Sequence, residues 1–511
     1  MKKILMRAPV SPFENPDPVR AVLDDLVSTN AGNLLFPHSL TRTLMVPGTD
    51  VVFDKTAKRP TDEELEQINA ACSAFVIPLA NGFRKTFADS LRRLTDMVNH
   101  LTIPCVVAGV CIGAEIDEFG NAKLQDAYPF DDDAREFCRA ILKKSAMIGV
   151  RGEVTATYME HLGFAREKDF TVIGCPSMFL YGPDLPAPKE LHLSPELKVN
   201  LNGRINVPAQ VQRFLQRVCR DYPDHMYIPQ NTYEIATVFA GRDIMDGCPF
   251  RRLTEPFPMD YSSPLYRENK VRAFVNFPAW QAFLRERDMN VGTRIHGNIA
   301  GVLSGIPVFI LASDSRVTEL SNYHHIPHMS APALTDEQDL RSVTEKVDFR
   351  SVLDGHRERF DHYIDFLHAN GLDTIYDTDL TDIPFDRRMS GITFEGALKP
   401  FPFAGYERQM QAMEFWNRYV ARIRSADEAR IRRTEEKSEE RARKSEERIA
   451  RIEERIARIE KRSAERQARN VELKKQNEEL QRKYSRTARG VAERVAGHLR
   501  GGADESGAQT K

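Results

Sequence analysis

Short apolar runs alternate along the first part of the chain with segments whose apolar residues recur at helical spacing. Ile4–Met6, Ala74–Leu79, Cys105–Val110, Ala146–Val150 and Thr171–Ile173 read as strands bounded by turn residues. Between them, Phe87 to Leu101 sets Leu91, Leu94 and Val98 on one helical face. Asp133 to Leu142 reads as another helix, with Asp131-Asp132 as its N-terminal cap. A metal site at Asp131-Asp132-Asp133 is the competing reading, and acidic residues at a helix start favour the cap, because they face its partial positive charge. Strand and helix in alternation predict a parallel, doubly wound α/β sheet.

Proline density in Pro183-Asp184-Leu185-Pro186-Ala187-Pro188 breaks this rhythm and suits an extended linker. A second lobe is expected beyond it, with strands at Lys198–Asn202, His225–Ile228, Ala236–Phe239, near Ala273–Phe277, at Asn290–Gly292 and at Val308–Leu311. Helices at Ser351 to Asn370 and Tyr406 to Arg422 would cover that lobe and cross back to the first. The expected divisions are 1–185, 195–425, a charged helix over 426–500 and a disordered tail over 501–511.

The charged segment carries heptads from about Ile431 to Tyr484. With Ala442, Ile449, Ile456, Ser463, Asn470, Asn477 and Tyr484 at position a, position d holds Ser445, Ile452, Ile459, Arg466, Leu473 and Leu480. Asn at a with Leu at d favours a parallel pair, whereas Ile at both favours three or four strands. A homo-oligomer or a partner helix along 431–484 is expected; a single solvated helix held by Glu–Arg pairs is the other reading.

Composition narrows the function classes. A chain of 511 residues predicts about two to four domains. A net charge of −2 supplies no basic face for releasing phosphate counterions, so no nucleic-acid partner is expected. The cysteines at 72, 105, 111, 138, 175, 219 and 248 are scattered, odd in number and without Cys-x-x-Cys spacing, and they read as reduced core thiols. Met1 to Arg7 is too short in its apolar part for a signal peptide and reads as the first strand. No apolar run reaches membrane-spanning length, and a soluble cytoplasmic protein is expected.

The chemistry concentrates in Gly292-Thr293-Arg294-Ile295-His296-Gly297-Asn298. An extended segment ending at Arg294 and His296 would project both side chains the same way. A helix over Asn298 to Leu303 follows, closed by Ser304-Gly305, and Pro307 opens the next buried strand. Free N–H groups at that helix start, joined by a guanidinium, suit a phosphate or carboxylate.

This ordered set resembles the polysaccharide pyruvyl transferases, whose pattern here is Arg-x-His, a small-residue helix, Gly-x-Pro and a strand. The resemblance extends to Asp314-Ser315-Arg316 and Glu319-Leu320, and upstream to Ile148 to Glu153, Leu162-Gly163 and Val172 to Ser177, covering roughly residues 1 to 400. It implies two facing Rossmann-like lobes in the GT-B arrangement with the site in the cleft. It further implies phosphoenolpyruvate as donor, a saccharide acceptor from a surface polysaccharide or its lipid-linked precursor, and a pyruvate ketal as product. No metal or other cofactor is called for, and contact with a membrane would be peripheral, through a lipid-linked acceptor.

Under that resemblance His296 is the general acid/base, since its ordinary pKa lies near neutrality and a bound phosphate favours its charged form. Arg294 and Arg151, the latter at the carboxyl end of its strand, would hold the donor's anions from opposite lobes, with Asn298, Asp314, Arg316 and Arg204 as further substrate-binding candidates. Plainer readings stand beside these: Arg294 paired with Asp314, His296 as an N-cap, Arg151 paired with Glu153, and Asp314 capping the next turn or orienting His296. Cys175 reads as a buried structural thiol, and His324 and His325 as surface or acceptor-side residues. An insertion over Ala8 to Thr29 departs from the family's early glycine-rich turn; Asn33 and Asn81 sit where they could meet sugar hydroxyls. A GT-B glycosyltransferase using a sugar nucleotide, and a non-catalytic coiled-coil scaffold, are the rival functions.

Overall fold

Four strands of the first sheet are built from residues that bury both faces. The computed structural model describes residues 2–27, 29–54, 59–203, 207–241 and 263–500. Arg204, Cys248 and the tail over 501–511 therefore lie outside the described residues. The first sheet contains β1 (Lys2–Arg7), β2 (Thr49–Asp54), β3 (Ala74–Pro78), β4 (Cys105–Val110), β5 (Ile148–Val150) and β6 (Phe170–Val172). The second contains β7 (Val199–Asn202), β8 (His225–Tyr227), β9 (Met289–Gly292), β10 (Val308–Ala312) and β11 (His328–Ser330). Wholly buried β3 and β4 show why these runs lack alternation: helices cover a parallel sheet on both sides.

All pairings are parallel, in the orders β2-β1-β3-β4-β5-β6 and β11-β10-β9-β7-β8. Each lobe thus winds outward from its first strand to its second, then returns to the other side of the first. This is the 2-1-3-4-5 order, not the 3-2-1-4-5-6 of dinucleotide-binding folds. Its consequence is positional: the crevice of each lobe opens between its first and third strands, at β1/β3 and at β7/β9.

Four readings need correction. Ala236–Phe239 belongs to a helix, Thr232–Ala240, framed by an Asn231/Glu234 capping box and closed by Gly241 at φ +75°. Its β-branched residues suggested a strand, but the caps and packing decide. Near Ala273 there are isolated bridges, Val271 to Tyr227 and Ala273 to Leu398, rather than a strand, and Phe277–Arg285 is a helix capped by Asn276. Two strands, β2 and β11, were not anticipated. His324 is fully buried rather than on the surface.

One core runs through both sheets, joining Ile4, Met6 and Val76 to Ile299, Ile310 and Leu320. The helix His356–Ala369 does cross back: Tyr363 stacks on Phe179 at 4.8 Å, and Asn370 Oδ1 accepts from the Ala146 and Met147 N–H groups at 2.9 and 3.2 Å. The insertion after β1 contributes Val10, Val19, Val22 and Leu26 to the core of the second lobe. Residues to Tyr419 form one compact unit, and those from Val420 a second. Helix Tyr406–Arg500 runs through the start of the second unit; within the first, Trp416 donates to the Ala240 carbonyl at 3.0 Å. Beyond it, Ile449, Ile452, Ile456 and Ile459 are each about half exposed along the heptad seam. No helix among the described residues is long and apolar enough to cross a membrane.

Candidate functional site

The two crevices open on one cavity of about 740 Å³. From the first lobe come Arg7 at the end of β1, Asn81 and Arg84 after β3, and Arg151 after β5; from the second come Gln230, Arg294, His296 and Arg316. Among the described residues, five of those lining it are arginines and none is an aspartate or glutamate. Such a surface selects anions.

Arg294 ends the extended segment after β9 and stands as the N-cap residue of helix Ile295–Leu303. Its N–H donates to Asn202 Oδ1 at 3.0 Å and its Nε to the Gly203 carbonyl at 3.1 Å, which fixes the side chain across the switch point. The ion pair is with Glu234, at 3.6 Å, and not with Asp314. Glu234 is buried, which raises its pKa, while Arg294 and the Tyr227 hydroxyl oppose the shift.

His296 is not on the strand extension but in the first helical turn, two residues after Arg294. Helix begins at Ile295, earlier than Asn298, because the strand ends at Gly292, whose φ of +154° turns the chain sharply. The imidazole is 6 % exposed, meets Phe36 edge-on at 5.9 Å and has Nε2 3.8 Å from Cys175 Sγ. Burial, then Arg151 and Arg316, hold its pKa well below the ordinary value, so the ring is neutral before any anion arrives. A methyl group on Gly32 would lie 2.5 Å from His296 Cβ, so the first lobe's Asn30-Ala31-Gly32 turn touches the ring's root.

Arg151 is 2 % exposed, donates Nε to the Gly109 carbonyl at 2.7 Å and lies over Phe36 at 4.5 Å. Glu153 pairs with Arg166 instead, and Arg151 Nη2 is buried without a hydrogen-bond partner among the described residues. Arg316 is gripped by Asp314 through two bonds of 3.1 and 2.6 Å, and its pKa lies above the ordinary value because this pairing outweighs burial.

Two predicted ligand-binding residues serve other ends. Asn298 is fully buried and spends its amide on Asn202, Asn290 and the Arg294 carbonyl, outside the cavity. Asp314 caps helix Ser315–Tyr323 and holds Arg316. Cys175 is buried, and its N–H donates to His324 Nε2 at 2.9 Å.

Arg7, Arg84 and Gln230 were missed. Arg7 carries the signal that exposed Arg151, an arginine at a strand's carboxyl end. Gln230 carries none: it is 1 % exposed, and neither Oε1 nor Nε2 has a hydrogen-bond partner. A methyl on Gly297 would collide with it.

A family model described as polysaccharide pyruvyl transferase matches residues 30–315. No curated protein matches the chain. Among solved structures, UDP-N-acetylglucosamine 2-epimerase from Rickettsia bellii is 11% identical, with 72% of this chain and 96% of that one covered at a TM-score of 0.37. UDP-GlcNAc 2-epimerase from Methanocaldococcus jannaschii, solved with UDP-GlcNAc and UDP, is 9% identical over 72% and 99%, TM-score 0.36. The glycosyltransferase SnogD from Streptomyces nogalater is 13% identical over 71% and 95%, TM-score 0.29.

Proposed function

Because the chain belongs to the polysaccharide pyruvyl transferase family, we propose that it transfers the pyruvyl group of phosphoenolpyruvate to two hydroxyls of one sugar, forming a ketal, in a GT-B-like cleft. The observation that carries this is the meeting of Arg151 from one lobe with Arg294 and His296 from the other on a single acid-free cavity. A donor with both carboxylate and phosphate needs two guanidinium forks aimed from different directions. Arg151 brings a buried Nη2 without a partner to that task.

The proton account suits a neutral imidazole. A sugar hydroxyl attacks C2 of the enol phosphate while C3 gains a proton; a second hydroxyl then attacks C2 and expels phosphate. Two hydroxyl protons are released, one ending on the new methyl group and the other on the departing phosphate. His296, neutral at rest, would take the first hydroxyl proton and return it to C3, and the phosphate beside it would stabilise the transient imidazolium. The arginines would offset charge on phosphate as the C2–O bond breaks. The acceptor would be a saccharide of a surface polysaccharide or its precursor.

Calorimetric titration of the full chain with phosphoenolpyruvate tests the donor. Binding that weakens at least about tenfold in Arg294→Lys, where the fork is lost, is the expected result. A chain that ignores phosphoenolpyruvate and binds a sugar nucleotide would move the assignment to glycosyl transfer.

A further inference from the structure

The cavity is larger than a three-carbon donor requires and falls in the range of sites that enclose ligands of about 300–1,000 Å³. Its cations also exceed what that donor uses. Arg316 is already held by Asp314 and Arg294 is offset by Glu234, while Arg151 and Arg294 face the donor in the reading above. Arg7 and Arg84 remain, at the β1/β3 end of the cavity, where neither makes an ion pair among the described residues.

These two guanidiniums flank one ring. Arg7 lies 5.6 Å and Arg84 5.2 Å from the centroid of Phe87. Their hydrogen bonds go to neutral groups: Arg7 to the Pro78 carbonyl at 3.4 Å, Arg84 to the Asn81 carbonyl at 2.5 Å and to Thr86 Oγ1 at 3.0 Å. Arg7 bears the charge of Arg84, and Arg84 that of Arg316. Burial lowers the pKa of Arg7, Asp54 on the neighbouring strand opposes the shift and Arg84 adds to it, while burial and then Arg316 lower that of Arg84. An incoming anion relieves this repulsion.

Polar groups suited to sugar hydroxyls face the same cavity. Among the described residues, Asn81 Oδ1 is buried without a partner and the Gln230 amide has both atoms unpartnered.

We infer that Arg7, Arg84 and Phe87 form a second anion subsite, distinct from the donor's, that holds the diphosphate of a phosphoryl-linked sugar acceptor. This rests on the pyruvyl-donor reading. A carboxylate's two oxygens would be satisfied by one arginine fork, whereas a diphosphate offers oxygens to both guanidiniums at once. Arg84 is exposed at the mouth, so the group beyond the diphosphate, nucleoside or lipid, extends into solvent.

The test uses the full chain, saturated or not with phosphoenolpyruvate, titrated with inorganic pyrophosphate, UDP and farnesyl diphosphate. Pyrophosphate should bind beside saturating phosphoenolpyruvate, and its Kd should rise at least about tenfold in Arg84→Gln and in Arg7→Gln while the Kd of phosphoenolpyruvate changes less than about twofold. Tighter binding of UDP supports a soluble nucleotide carrier; tighter binding of farnesyl diphosphate supports a lipid carrier. Mutual exclusion of pyrophosphate and phosphoenolpyruvate, or pyrophosphate affinity unchanged in the exposed Arg84→Glu variant, overturns the inference. The phosphoenolpyruvate titration alone judges the donor reading, since a failed donor leaves the pyrophosphate result legible.

Discussion

The Glu319 carboxylate lies 3.0 Å from both the backbone N–H and the hydroxyl of Thr155, so a side chain of the second lobe caps a helix of the first. That helix, Glu153–His161, starts just after Arg151 and has no cap of its own from Gly152. Beside it, Ala114 and Ser315 exchange two bonds: the Ala114 N–H donates to the Ser315 hydroxyl at 2.8 Å and the Ser315 N–H to the Ala114 carbonyl at 2.9 Å. The bonds that join the lobes therefore also hold the start of the helix that follows Arg151.

Glu319 should make stability depend on pH. Burial pushes its pKa up to about 8, against the bonds from Thr155 and the charge of Arg151. A carboxyl raised above its unfolded value of about 4.3 keeps extra protons in the folded state, so its contribution is full below that value and is lost as pH climbs through about 8. Melting temperatures of the wild type should fall relative to Glu319→Gln, which mimics the protonated acid, across that window. Parallel curves would contradict this.

Removing Arg294 should cost stability as well as donor binding. Arg294→Ala leaves Glu234 buried with its guanidinium partner gone, a loss of roughly 1–3 kcal/mol. Adding Glu234→Gln should restore most of the denaturation midpoint but none of the phosphoenolpyruvate affinity. Recovery of both would mean Arg294 only supports the fold.

His296 should titrate far below an ordinary histidine, as buried His38 and His324 also should. In protein labelled at histidine, its ring resonances, assigned by their loss in His296→Gln, should hold the neutral pattern below pH 6.5 and move toward the charged pattern when phosphoenolpyruvate is added. His296→Gln should lower kcat by about 10²–10⁴ with donor Kd little changed.

The heptad seam predicts self-association. Light scattering should report more than one copy for the full chain and a single copy after deletion of residues 426–511 or after Ile456→Asp with Ile459→Asp. Donor affinity should be unaffected in all three. Loss of affinity in a folded truncation would tie the helix to the site.

Much of the architecture could be read because it is local. Cys105–Val110 is apolar throughout and becomes β4 without adjustment, and Asp314 announces its helix as a cap. Arg151 and Arg294 were accessible by the same rule, an arginine at a strand's carboxyl end, and Arg7 would have been had the rule been applied to the first strand. What escaped was non-local. Glu319 finds Thr155 across 164 positions, and Gln230 faces the cavity only because the second lobe brings its β8 loop against Gly32 and Gly297. His296 belongs to the helix rather than the strand end, since the turn at Gly292 admits the helix three residues early.

The glycines around the cleft have a consequence for how sequences of this kind can drift. Gly32 against His296, Gly297 against Gln230, Gly152 against Glu319 and Gly174 against His324 each replace a side chain with bare backbone where another residue must fit. None would touch a ligand through a side chain, yet alanine at any of them displaces a residue of the cleft or its supports. A saturation screen for retained activity should therefore draw the outline of the site in positions that perform no chemistry, and substitutions of the asparagines and arginines that line the cavity should be where altered ligand preferences arise.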